Sequence, residues 1–153
     1  MDAASFSENT EVDLQPSRKL RPKKILVVED DKNMTVLLGK ALLATTSDAE
    51  ISWAVSLEQA FTQIIQNTDI NQKTPYDLVI ADIFLEGAGT GLDFLKVINH
   101  TFPKIPFLVI SSLSHDEVKK AVASEAKENL TYLQKPFQFG QCTEQIKTML
   151  KEL

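Results

Sequence analysis

The sequence predicts an α/β protein built on a parallel sheet, and three observations carry that prediction. From Lys24 onward, short β-rich apolar runs alternate with longer stretches of helical period, the pattern of strands joined by crossover helices. Several of the helical stretches open on Ser or Thr followed three residues later by an acid or amide, the spacing of a capping box. Polar and charged residues collect where the apolar runs stop, the rim at which open parallel sheets bind their ligands.

Residues 1–22 hold few large apolar side chains and show no clear period, so they read as a flexible arm ahead of one domain spanning 23–153. Asp2, Glu8, Glu11 and Asp13 make the start of the arm acidic, and Arg18, Lys19, Arg21, Lys23 and Lys24 form a basic cluster before the first strand. Such a pattern suits a solvated leader more often than a docking or nucleic-acid-binding segment. The first strand is expected at Ile25–Val28. The helix after it carries Met34, Val36, Leu37, Leu38, Leu42 and Leu43, more apolar positions than one buried stripe needs, which leaves some of them for docking.

A second strand is expected at Ile51–Val55. Ser56 with Gln59 then opens a helix whose stripe is Leu57, Ala60, Phe61, Ile64 and Ile65, and the polar segment 66–75 reads as a surface loop. The third strand is Leu78–Ala81, with Thr90 and Asp93 marking the next helix start. Phe107–Ile110 is the fourth strand, Ser114 with Glu117 opens the following helix, and Thr131–Leu133 is the fifth strand. The last helix aligns Phe139, Cys142, Ile146, Met149, Leu150 and Leu153 on one stripe, which makes Cys142 a small core residue and not a reactive thiol.

Totals narrow the class. A chain of 153 residues fits one ordinary domain with a continuous core. No apolar run approaches the roughly 20 residues of a membrane helix, and the N-terminus lacks the basic and apolar regions of a signal peptide, so a cytoplasmic protein without membrane association is expected. The single cysteine excludes an internal disulfide, no Cys/His cluster has zinc-ligand spacing, and a net charge of -5 weighs against nonspecific nucleic-acid binding. His100 and His115 stand apart from each other and receive no catalytic role.

The strand ends hold the chemistry. Strand one ends in Glu29-Asp30-Asp31, strand three in Asp82, strand four in Ser111-Ser112 and strand five in Lys135-Pro136. Each alone has an ordinary explanation, because Asp after a strand is a common cap or turn residue and lysine is usually solvated. The ordered set, with aspartates, a hydroxyl and a lysine converging on one rim, points to a shared site.

From about Lys23 to the C-terminus the chain resembles the receiver domain of two-component response regulators. The matching residues are the acidic pair Asp30-Asp31, Asp82, Ser111, Tyr132 and Lys135-Pro136-Phe137. The resemblance implies a doubly wound, flavodoxin-like receiver fold with five parallel strands in the order 2-1-3-4-5. It implies Mg2+ as cofactor, with Asp31 and Asp82 as direct ligands, Asp30 acting largely through water and Phe84 supplying its carbonyl. Asp82 would accept the phosphoryl group as nucleophile, and Lys135, aimed by a cis bond before Pro136, would pair with a phosphoryl oxygen. Ser111 would donate to another, and Tyr132 would follow as the switch residue. For Ser111 a plain loop serine, and for Tyr132 a half-buried strand aromatic, remain the alternatives. The implied partners are a sensor histidine kinase or histidine phosphotransfer protein upstream and a protein target downstream. Such a module catalyses only its own phosphorylation and dephosphorylation. The last expected helix ends at the C-terminus, which assigns the output to a partner protein.

The chain departs from the family pattern after Asp82, where segment 83–91 is one residue longer, holds three glycines and places Phe84 near the phosphate position. The turn 126–130 lacks the usual glycine, a role that Asn129 can take in the left-handed conformation. Two other classes fit the residues less well. A haloacid-dehalogenase-type phosphatase needs a second aspartate two residues after the nucleophile, where Phe84 stands. A phosphorylation-independent pseudo-receiver scaffold is disfavoured by the retained Asp82, Ser111 and Lys135.

Overall fold

The computed structural model describes residues 21–69, 71, 75–82, 91–121 and 130–151. Residues 1–20 of the expected arm, the 83–90 segment with Phe84 and Thr90, the 126–129 part of the expected turn and Leu153 lie outside the described residues. The elements in chain order are β1 (Lys23–Val28), α1 (Lys32–Thr45), β2 (Ala49–Ala54), α2 (Leu57–Asn67), β3 (Leu78–Asp82), α3 (Gly91–Thr101), β4 (Phe107–Ser111), α4 (His115–Ala121), β5 (Leu130–Gln134) and α5 (Phe139–Lys151). All five strands are parallel and lie in the order β2-β1-β3-β4-β5, as expected.

Burial explains the order. The strands β3 and β4 are buried at every position, and β1 is buried from Ile25 to Val28, because helices cover both faces of a parallel sheet. Alternate residues then serve opposite layers. Leu26, Val28, Val79, Ala81, Phe107 and Val109 pack with α2, α3 and α4. Ile25, Val27, Leu78, Ile80, Leu108 and Ile110 pack with α1 and α5. The edge strands β2 and β5 are only partly buried, and Val55, expected at the end of the second strand, lies beyond β2 and is exposed.

Local signals place the helix starts. Ser56 accepts the Gln59 N–H at 3.2 Å, while the Gln59 side chain accepts from Val55 N–H at 3.0 Å. At α4 the box is fully reciprocal: Ser114 Oγ accepts from Glu117 N–H at 3.2 Å and Glu117 Oε2 from Ser114 N–H at 2.7 Å. The Ser114 N–H, and after it the Ser114 side chain, hold the Glu117 carboxyl below its usual range. Cys142 is fully buried and its thiol is pushed up to about 11 by burial, which fits the core role expected of it. In α5, Phe139 departs from the expected stripe and is exposed. On α1, Val36 and Leu43 are 56% and 71% exposed, so the apolar excess does face outward.

Candidate functional site

Four strands deliver the site to one rim. The run of β1 ends in Glu29, whose N–H still bonds Ala54 carbonyl at 2.9 Å, and the side chain turns inward with 1% exposure. Asp82 is the last residue of β3 and is buried. Ser111 is the last residue of β4 and has no exposure. Beyond β5, Lys135 donates its N–H to the Ser111 carbonyl at 2.7 Å, which fixes the base of its side chain. The Lys135–Pro136 peptide bond is cis, as expected.

The Lys135 ammonium donates to Asp82 Oδ2 at 2.7 Å and to Glu29 Oε2 at 3.3 Å. Carboxylate oxygens of Glu29, Asp30 and Asp82 also lie within 4.8 Å of one another, and Asp30 is the exposed member. Three carboxylates thus face one ammonium in a partly desolvated pocket. Burial pushes the Glu29 carboxyl up to about 7, with the Asp82 charge adding to the rise and the Asp31 N–H and Lys135 opposing it. Burial acts to lower the Lys135 pKa, but the Asp82 and Glu29 carboxylates outweigh it and the ammonium is held above its ordinary range.

The acidic residues grouped with Asp82 differ from the expected pair Asp30-Asp31. Asp31 is the N-cap of α1: its Oδ1 accepts from Asn33 N–H at 2.7 Å and Met34 N–H at 3.2 Å. The carboxylates gathered at Asp82 are those of Asp30 and Glu29, and Glu29 accepts the Asp31 N–H at 3.0 Å. In the sequence Glu29 closes the first apolar run, one residue ahead of the expected pair. The signal that could have found it was the count from the strand: Asp31 immediately precedes the helix, in N-cap position.

Ser111 and Tyr132 meet at the next corner. Ser111 Oγ accepts from Leu113 N–H at 3.1 Å. The Tyr132 hydroxyl, half-buried, donates to the Leu113 carbonyl and also lies 3.1 Å from the Ser111 carbonyl. Burial, with the Glu117 charge behind it, raises the Tyr132 phenol above its usual range. Both residues therefore hold the same segment between β4 and α4. His115 contributes only its ring, 5.8 Å from that of Tyr132. Phe84 lies outside the described residues.

A parallel five-stranded sheet with acids at the ends of β1 and β3 and a lysine after β5 defines a receiver-type signalling domain. Residues 25–147 match the family model described as response regulator receiver domain, and the chain belongs to that family. Phosphorylation on aspartate in two-component signalling is the general function of the family, whose members bind a divalent metal in an acidic pocket and interact with histidine kinases or phosphotransfer proteins.

Among solved structures, a putative response regulator from Chloroflexus aurantiacus is similar, with 27% identity and a TM-score of 0.68 over 86% of this chain and 99% of that one. The phosphorylated cyanobacterial phytochrome response regulator RcpA is 24% identical, with a TM-score of 0.65 over 84% of this chain and 91% of that one. The Mn(2+)-bound form of the response regulator Rcp1 is also 24% identical, with a TM-score of 0.64 and the same coverage. No curated protein matches the sequence. Among the described residues, no helix is long and apolar enough to cross a membrane.

Proposed function

We propose that Asp82 accepts a phosphoryl group from a histidine kinase or histidine phosphotransfer protein in a Mg2+-dependent reaction, and that the modified domain signals in the cytoplasm by binding a protein target. The observation that carries this reading is the Asp82 carboxylate at a strand end, 2.7 Å from the Lys135 ammonium and within the Glu29–Asp30 cluster. An all-oxygen donor set of this size suits a hard divalent cation that keeps several waters. Asp30 and Asp82 would hold Mg2+ directly, with Glu29 acting from behind. When bound, the ion supplies positive charge that offsets repulsion between the carboxylates and an incoming phosphate.

The residues of the chain do the rest. Lys135 donates to Asp82 and stands where a phosphoryl oxygen would lie once the carboxylate is modified. Transfer of this kind depends on positioning and charge neutralisation rather than on covalent help from other side chains. Asp82 Oδ attacks phosphorus, the bond to the donor breaks, and the donor leaves with that electron pair, so the domain catalyses its own modification. Ser111 would turn its hydroxyl to the new phosphate, exchanging its contact with Leu113 N–H. The Tyr132 hydroxyl holds the same Leu113, so movement at Ser111 is transmitted to the segment ahead of α4.

Incubation with a small phosphodonor and Mg2+ followed by intact mass measurement tests the reading. The wild type is expected to gain one phosphoryl group and Asp82→Asn none. A folded wild-type protein that gains nothing would leave the phosphorylation-independent scaffold as the better description.

A further inference from the structure

We propose that the groove between α2 and α3 is a docking site for the N-terminal segment of the same chain, seated through Val12 and Leu14. The groove has a volume of about 390 Å³ and is walled by Phe61, Ile64 and Ile65 on one side and Val97, Ile98 and Phe102 on the other. Its floor is core, but its rim is apolar and open: Ile65 is 74% exposed and Val97 46%. Large aliphatic side chains left on both lips of a concave strip mark an interaction surface more than a random scatter does. None of these residues belongs to the acidic pocket.

The path of the chain selects the occupant. Arg21 is pinned to Asp77 by two hydrogen bonds of 2.7 and 3.1 Å, and Lys24 N–H bonds the same carboxylate at 2.9 Å. The neighbour of Asp77, Tyr76, is buried and accepts from the Asn67 side chain at the end of α2 at 3.2 Å. The next residue, Thr68, lines the groove. These contacts link Arg21, which twenty residues precede in the sequence, to the end of α2 that lines the groove. Val12 and Leu14 lie seven to nine residues before Arg21, a reach of up to roughly 25–30 Å. The stretch of α2 that walls the groove, from Phe61 to Thr68, is only about 10 Å long.

Composition agrees with that path: Val12 and Leu14 are the only large aliphatic residues between positions 7 and 19. A groove for a few side chains is small beside the roughly 1,000 Å² that a specific interface between separate molecules should bury. A tethered segment does not need that area, because a short tether gives an effective concentration on the order of millimolar. A second copy of the chain has no such advantage.

Cysteine cross-linking in the full-length chain tests the proposal, with the native Cys142 left in place because it is buried. Val12→Cys is paired with Val97→Cys at the groove, or with the control Leu43→Cys, which is more exposed and lies on α1 across the sheet. Under mild oxidation the groove pair is expected to close an intramolecular disulfide at least tenfold faster than the control. Equal rates for the two pairs would overturn the proposal, as would disulfide-linked dimers in place of the closed monomer.

Discussion

Lys135 reaches Asp82 through its backbone as much as its side chain. Its N–H is fixed on Ser111 carbonyl, so the ammonium arrives at two carboxylates from a rigid base and with little rotamer freedom left to lose. Removing the charge leaves Asp82 and Glu29 facing each other without a cation, and removes one charge-assisted contact to the developing phosphate. Such a contact is worth about 1.5–3 kcal/mol. If it is made in the transition state, Lys135→Met should accept phosphate from a small donor roughly tenfold to a hundredfold more slowly, while the methionine fills the space of the lysine stem. Rapid-quench measurement of phosphoryl incorporation checks this, and a wild-type rate would mean that Lys135 serves the fold alone. Asp82 and Ser111 were legible in the sequence because each closes an apolar run, and Lys135 because it stands before Pro136 at the end of the last run. Glu29 was not, because three acids in a row offer no way to tell the buried one from the cap until the chain direction at the strand end is known.

At the scale of elements, the same ambiguity resolves through helix α1. Its first turn contains no acidic residue, so the exposed N–H groups depend on Asp31 for their acceptor. The cap and metal readings of Asp31 separate experimentally. Asp31→Ala is expected to cost about 1 kcal/mol of stability by loss of the cap, read as a lower midpoint in urea. Asp31→Asn, which still caps, should keep the stability and the metal-dependent phosphoryl acceptance. Loss of acceptance in the folded Asp31→Asn protein would restore Asp31 as a ligand. Boundaries were also less legible than identities. The structure extends β2 to Ala49 and ends it at Ala54, because its register with Lys23–Val28 of β1, and not its own apolar content, decides how far an edge strand pairs. Ile65 and Phe139 fall on apolar stripes in the sequence yet are exposed, since a stripe in sequence does not say how wide the neighbouring helix leaves the contact.

For the whole molecule, the layered architecture followed from the alternation of apolar runs and helical stretches, but the strand order came with the family resemblance, because periodicity does not say which strands are neighbours. That order matters to stability as well as to function. The order 2-1-3-4-5 puts β1 beside β3, so Glu29, Asp30 and Asp82 meet only when the central pair has formed. In the folded chain without a cation these like charges oppose one another, while in the unfolded chain they separate. A divalent ion that occupies the cluster therefore binds the native state alone and shifts the unfolding equilibrium by mass action. At a concentration a hundred times its dissociation constant the gain is about 2.7 kcal/mol, which for a domain of this size raises the melting temperature by roughly 5–10 °C. Addition of Mg2+ to the wild type should produce that rise, and a chelator should abolish it. Asp30→Asn should show most of the loss without unfolding, because Asp30 is exposed and has no part in the core. An equal rise in wild type and Asp30→Asn would show that the ion acts elsewhere on the molecule, and would detach the acidic cluster from the metal dependence proposed for Asp82.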